Sequence, residues 1–392
     1  MAASDRLNID LAQSDGRYDR QELITWWDQS LLGNARVLVL GAGALGNEIV
    51  KNLALLGVGT IVVADLDRVE NSNLSRCLFF REEHEGMPKA SVVAAGAREL
   101  NPQIDVVGVD GDLRLTLGLS AYRDADVVVG GLDNREARLH ANQACWKTST
   151  PWIDGAIEGL LGVARTFVPP ESACYECTMN EQDRRLLAAR RACSLLTREQ
   201  MQGGHVPTTA TTSSVIAGIQ AQETVKLLHR ETIPYTFAGR GFVYNGLTHD
   251  SYVVTYARDE LCMSHDTYDL ERSRSIAHRT RFGDVLADAV DVLGEGAVLD
   301  LELELVVTMT CPACALETVV CRPLEELAAG AASCPRCSEE RTLDARHQVD
   351  ADTPVLSEKT LEEVGIPLGD VLTARSGERR HHYVVEEALV RA

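Results

Sequence analysis

Three short apolar runs dominate the first third of the chain: Val37–Leu40 (VLVL), Thr60–Asp65 (TIVVAD) and Asp126–Gly131 (DVVVGG). Each ends where glycine or polar residues take over. Runs of this length without alternation predict strands buried on both faces. Between the first two lies ALGNEIVKNLALLGV (44–58), apolar at helical spacing. Strand–helix alternation continues to about residue 157, which predicts βαβ units and a mainly parallel sheet. Upstream, RQELITWWDQSLLG (20–33) predicts one amphipathic helix closed by Gly33. Downstream, QDRRLLAARRACSLL (182–196) reads as a helix with a basic face. GGHVPTTATTSS (203–214) reads as a polar loop in which Ser213 or Ser214 caps the helix VIAGIQAQETVKLLH (215–229). Phe237–Tyr256 is strand-rich and is expected to finish the sheet. From about residue 276 the texture changes. FGDVLADAVDVLG (282–294) predicts a helix and LDLELELVVTMT (299–310) a strand. A cysteine-rich insert and a strand-helix-turn-strand ending complete the chain. The expected organisation is an arm over 1–19, a nucleotide-binding domain over 20–275, and a second domain over 276–392 with an insert at about 306–342.

Composition narrows the function classes. The net charge of −20 over 392 residues argues against a nucleic-acid partner, which needs clustered Lys and Arg. The N-terminal MAASDRLNIDLAQSDG has no apolar core of a signal peptide, and no apolar run approaches a membrane span. The expectation is a cytoplasmic protein without a membrane partner. Eleven cysteines in that setting point to metal or catalysis rather than disulfides.

The strand-to-helix turn GAGALG (Gly41–Gly46) carries the phosphate-binding pattern in the context it requires. Gly41, Gly43 and Gly46 let backbone approach a phosphate at a helix N-terminus. Asp65 ends the second strand at the separation where an acid meets a ribose hydroxyl. The motif alone is shared with hydride-transfer enzymes. A nicotinamide-dependent oxidoreductase, however, has no evident use for three further motifs: DLDRVENSNLSR (65–76), GMPKA (86–90) and GGLDN (130–134).

Taken in this order, these four motifs resemble the adenylation domain of ubiquitin-activating enzymes and their relatives in thiamine and molybdopterin synthesis, the ThiF–MoeB adenylyltransferase family. The resemblance covers about residues 17–265. It implies a Rossmann-like fold. It also implies consumption of ATP with magnesium to form an acyl-adenylate on the C-terminal glycine of a small ubiquitin-like protein. By resemblance, Arg76 and Lys89 are phosphate-contacting cations, Asp133 the magnesium-binding carboxylate and Asp65 the ribose ligand. Asp67 and Asn73 order the site, and Arg20 is an arginine donated by the partner protomer of a homodimer. One departure is Cys77, where the family often carries glutamine.

Cys193, in RRACSLL, occupies a position resembling the catalytic cysteine that takes the acyl group as a thioester. Arg184, Arg185, Arg190 and Arg191 precede it, and nearby cations favour a thiolate. The segment (about 178–206) is far shorter than a separate catalytic-cysteine domain, so Cys193 is expected to travel to the adenylate on a moving segment. That brevity implies a compact, bacterial-type conjugation system of the kind linked to antiviral defence. The alternative within the family is a sulfur-carrier adenylyltransferase. A scaffold that keeps the fold without catalysis conflicts with the intact set of cations and acids.

Two half-sites, Cys174-x2-Cys177 and Cys262-x2-His265, resemble the family's split structural zinc. Cys311-x2-Cys314 and Cys334-x2-Cys337 have zinc-ribbon spacing. Spacing leaves open the alternative pairing of Cys174/Cys177 with Cys311/Cys314. The tail KTLEEVGIPLGDVLTARSGERRHHYVV (359–385) resembles the second half of a ubiquitin-like β-grasp. That resemblance implies a C-terminal domain recruiting a conjugating enzyme, with the ribbon inserted into it.

Overall fold

Strand β1 (Arg36–Leu40) explains the continuous apolar runs. Val37 and Val39 enter one core and Leu38 and Leu40 another. A strand covered on both faces has no polar side to show in its sequence. In this computed structural model, which describes residues 16–185, 207–233, 235–350 and 353–387, eight strands form the first sheet in the order β3-β2-β1-β4-β5-β6-β7-β8. The ranges are β2 Thr60–Asp65, β3 Asp105–Asp110, β4 Val127–Gly130, β5 Trp152–Glu158, β6 Leu161–Phe167, β7 Arg240–Asn245 and β8 Asp250–Thr255. β1 to β5 are mutually parallel, and β5 to β8 continue antiparallel.

One face is covered by α3 (Ala44–Leu56), α4 (Lys89–Leu100) and α8 (Ala210–Leu228), whose Ile49, Val93 and Ile216 share the core with Val37 and Val39. The other is covered by α5 (Leu113–Thr116), α6 (Leu119–Arg123) and α7 (Arg135–Lys147), with Tyr122, Trp146 and Trp152 fully buried. Strand order reverses between β1 and β4. The carboxyl ends of β1, β2 and β4 therefore flank the crevice where such sheets bind ligands.

Two local expectations fail for tertiary reasons. The segment 20–33 is not one helix but two short ones, α1 (Asp19–Glu22) and α2 (Gln29–Asn34). The break at Trp26–Asp28 wraps His229. Its Nε2 accepts from Asp28 N at 3.0 Å, and its ring lies 5.5 and 5.6 Å from Trp26 and Trp27. Helix α8 starts at Ala210, five residues before its expected first residue, Val215. Thr209 caps it, and Ser213 and Ser214 hydroxyls bond back one turn, to Thr209 O and Ala210 O.

The second sheet runs β11-β10-β13-β14-β9, with β12 on β10. β9 (Arg274–Ala277) leads to α9 (Phe282–Leu293), then β10 (Val298–Thr310), β11 (Glu317–Pro323) and β12 (Thr342–Val349). Two single-turn helices come next, α10 (Pro354–Ser357) and α11 (Leu361–Val364), before the hairpin β13 (Val371–Ser376) and β14 (Arg379–Glu386). β9 and β14, first and last, pair in parallel. The expected strand forms, and LDLELEL alternates in it: Leu299, Leu301, Leu303 and Leu305 are buried. α9 packs Phe282, Leu286 and Ala289 across that face. The two sheets meet through α5–α7. Ser120 N donates to Gly369 O at 2.8 Å, and Lys147, at the end of α7, pairs with Glu302 on β10. Among the described residues no helix is long and apolar enough to cross a membrane.

Candidate active site

The glycine turn joins β1 to α3 under tight steric limits. Gly41 has φ +95°, and a Cβ there would lie 2.7 Å from Gly131 O. A Cβ on Gly46 would lie 1.9 Å from Gly41 O, so the helix can press on the turn only as glycine. Gly43 is the extended residue before α3, leaving the first helical N–H groups without side-chain caps. Asp65 grips the turn from β2. Its Oδ2 accepts Ala42 N at 2.5 Å and its Oδ1 accepts Asp67 N at 2.7 Å. Burial pushes this carboxyl above its ordinary range, and the two backbone donors pull it back.

From Asp65 the chain runs directly into the other predicted residues. Asn73 is buried, and its Oδ1 accepts Glu70 N at 3.1 Å to close a short turn. Arg76 leaves that turn half-buried, held by Nη1 to Ser72 O at 2.7 Å. Lys89, at the start of α4, is only 9% exposed and pairs with Asp67 at 2.8 Å. Cys77 sits behind them. Burial pushes its thiol up to about 11, against the opposing fields of Arg76 and Lys89. A thiol so displaced is no nucleophile at neutral pH. Asp133 comes after β4, exposed, with Asn134 Nδ2 donating to its Oδ1 at 3.1 Å. Among the described residues it has no cation partner. The structure thus brings Gly41, Gly43, Gly46, Asp65, Asp67, Asn73, Arg76, Lys89 and Asp133 to the carboxyl ends of β1, β2 and β4. Arg20 stands apart, exposed on α1. Cys193, Arg190, Arg191 and His205 lie outside the described residues.

Several supporting residues carry no motif. Fully buried Asp154 on β5 accepts from Arg138 Nε at 2.9 Å and from Arg165 Nε at 3.0 Å. Arg138 also donates to Leu132 O and Gly155 O, so this network fixes the loop that carries Asp133. Gln220 of α8 donates to Gly130 O at 2.8 Å from beneath. Fully buried Asn47 reaches from α3 to the turn and to the Arg76 segment. Their signal in the sequence is only a polar residue at an apolar-periodic position.

The metal half-sites pair as the resemblance implied. Cys174, Cys177, Cys262 and His265 bring their donor atoms within 4.8 Å of one another, as do Cys311, Cys314, Cys334 and Cys337. The alternative pairing of Cys174/Cys177 with Cys311/Cys314 is excluded by this placement. In the first cluster, Cys174 Sγ lies 3.6 Å from both Cys177 and Cys262, and Cys177 Sγ lies 3.4 Å from His265 Nε2. In the second, Cys311–Cys337 and Cys314–Cys334 are 3.4 and 3.7 Å apart. A tetrahedral ion with bonds of about 2.3 Å places sulfurs about 3.8 Å apart, so both donor sets fit zinc. His265 stacks on Trp146 of α7, ring centroids 5.1 Å apart.

The profile of the ThiF family matches residues 18–263. The sulfur carrier protein ThiS adenylyltransferase of Bacillus subtilis is 38% identical over 42% of this chain and 51% of its own length. The NEDD8-activating enzyme E1 catalytic subunit of Saccharomyces cerevisiae is 38% identical over 38% of this chain and 52% of its own. The chain thus spans about half the length of these two relatives. The SAMP-activating enzyme E1 of Haloferax volcanii is 36% identical over 57% of this chain and 78% of its own. Among solved structures, Escherichia coli MccB with ATP superimposes with TM-score 0.53 over 65% of this chain and 75% of that one, at 22% identity, a likeness of fold.

Proposed function

Because the chain belongs to the ThiF family, whose members are adenylyltransferases and E1-like enzymes, we propose that it activates the C-terminal glycine of a small ubiquitin-like protein at the expense of ATP. The observation that carries this reading is the cluster Asp65–Asp67–Lys89–Arg76, gathered at the crevice between β1 and β4 beside exposed Asp133. A lent dinucleotide needs the glycine turn and one acid. A consumed triphosphate needs cations around the leaving group as well.

In this reading the terminal carboxylate oxygen attacks the α-phosphorus, and the bond to pyrophosphate breaks. Arg76 and Lys89 offset the charge that gathers on the departing phosphates. Asp133 would hold magnesium, which would supply further positive charge against the phosphates. Its exposed carboxylate suits that role. Asp67 aims Lys89, Asn73 shapes the Arg76 turn, Asp65 takes the ribose side, and Arg20 reaches the site of the partner protomer in a homodimer. The thiolate of Cys193 then attacks the acyl carbon, releasing AMP and leaving a thioester. Residues 276–392 are read as a ubiquitin-fold-like domain that presents the thioester to a conjugating enzyme. The helix α9 packed across a mixed sheet, with first and last strands side by side in parallel, supports that part. Both zinc sites are closed four-donor sets, which suits structure rather than hydrolysis.

The 38% identity to a ThiS adenylyltransferase favours a second reading, adenylation of a sulfur carrier with no thioester relay. The two separate on one gel. The full chain with ATP, magnesium and a glycine-ending modifier should form a reductant-sensitive adduct, lost in Cys193→Ala. Adenylation without that adduct selects the second reading.

A further inference from the structure

Asn47 is fully buried in the first turn of α3, where the helical pattern asks for an apolar side chain. Its amide is used at both ends. Nδ2 donates to Ala42 O at 2.7 Å and to Gly43 O at 3.0 Å, the two carbonyls of the glycine turn. Oδ1 accepts Phe79 N at 2.9 Å, three residues beyond Arg76. A buried amide engaged at both ends is held in one orientation, because each lost partner leaves a costly orphan.

We infer that Asn47 is a positioning residue that sets the distance between the glycine turn and the segment carrying Arg76, and so selects the triphosphate over the monophosphate. This rests on the reading of the crevice as an ATP site. The asymmetry of the contacts supports the selectivity. If Asn47 becomes alanine, the turn keeps other anchors. Ala42 O loses its donor, but Ala42 N stays on Asp65 and Gly43 O still accepts the backbone N–H of position 47 at 2.9 Å, so the turn itself stays pinned. Among the described residues, Phe79 N has no acceptor other than Asn47. The Arg76 side, with no second anchor at Phe79 N, therefore moves more than the turn. In the ATP reading that side carries the cation for the outer phosphates, which AMP lacks. Small displacements of a positioned cation are expensive at such sites.

The test measures binding of ATP and of AMP, with magnesium, to the full chain by calorimetry. Asn47→Ala should weaken ATP tenfold or more and AMP less than threefold. Asn101→Ala is the control: Asn101 is equally buried, donating to Ala54 O at 2.7 Å and Tyr18 Oη at 2.8 Å, away from the crevice. It should lower the melting temperature while leaving the ratio of the two affinities within twofold. An unchanged ratio in Asn47→Ala overturns the inference while sparing the ATP reading. A wild-type chain that binds no ATP overturns both. Hydrogen exchange in the wild-type chain keeps the inference testable should the variant not fold. The Phe79 amide should exchange more slowly with ATP than with AMP, and equal rates would refute the role.

Discussion

Lys89 and Asp67 are joined twice: the Lys89 Nζ lies 2.8 Å from the Asp67 carboxylate, and the Lys89 backbone N–H donates to Asp67 O at 2.9 Å. A lysine at the start of a helix stands against the dipole, and Asp67 offsets that. The pair holds a nearly buried cation beside the crevice. Lys89→Ala should lower the rate of ATP–pyrophosphate exchange by about 100-fold or more while shifting the melting temperature little. Lys89→Met, close in volume but without the charge, should lose as much. A rate within threefold of wild type in both variants would remove Lys89 from the phosphate site.

The Arg138–Asp154–Arg165 network is buried, with Asp154 fully enclosed. Removing its single acid strands two arginines. Asp154→Ala should therefore destabilise the chain by about 3–5 kcal/mol in urea unfolding. A stability change below about 1 kcal/mol would show that water reaches the arginines and that the network does not hold the Asp133 loop.

Metal content and tryptophan fluorescence test the two cysteine clusters separately. The full chain should contain two zinc ions, falling to one in Cys262→Ala and to one in Cys334→Ala. Only the first variant should alter emission from Trp146, which stacks on His265. It should also open the junction to protease, since Tyr268, three residues past His265, donates to Lys147 O at 2.9 Å and to Glu302 at 3.0 Å. Equal effects of the two variants on emission would contradict this arrangement.

Two buried groups at the junction titrate in opposing senses. Burial pushes Asp370 up to about 7, with Glu302 adding to the shift and Lys147 opposing it. Burial pushes His140 down to about 4, with Glu302 opposing that shift and Arg114 and Lys147 adding to it, and among the described residues its Nε2 has no hydrogen-bond partner. These groups line one cavity between α5–α7 and the second sheet. The raised carboxyl contributes stability that is lost as pH rises from about 4 to 7. The depressed imidazole contributes stability that is lost as pH falls from about 6.5 to 4. In the wild type the two slopes largely cancel between pH 4 and 6.5. Asp370→Asn should leave the histidine slope alone, so that stability rises with pH across that window. It should also stabilise the chain at pH 8 relative to wild type. Parallel pH–stability curves for the two proteins would contradict the titration of Asp370.

Much of the fold was legible because its signals are local. VLVL, TIVVAD and DVVVGG each mark a strand buried on both faces, and the motifs that end them mark the crevice. The two four-donor clusters were legible for the same reason, since each knuckle is complete within four residues. The features that stayed hidden depend on partners distant in sequence. The helix over 20–33 breaks because His229, some 200 residues away, takes the Asp28 N–H. Asp154, Arg138 and Gln220 look like ordinary polar residues until β4, β5 and α8 come together. Asn47 reads as a blemish in an apolar helix face, although it ties two motifs into one site.

In the proposed reaction ATP is consumed by attack of a terminal glycine carboxylate. Exchange of radiolabelled pyrophosphate into ATP tests it most directly, using the full chain, magnesium and small β-grasp proteins with and without their terminal glycine. Exchange is predicted only when the glycine is present, and it should vanish in Asp133→Ala. Exchange that ignores the terminal glycine, or that persists unchanged in Asp133→Ala, would contradict the account.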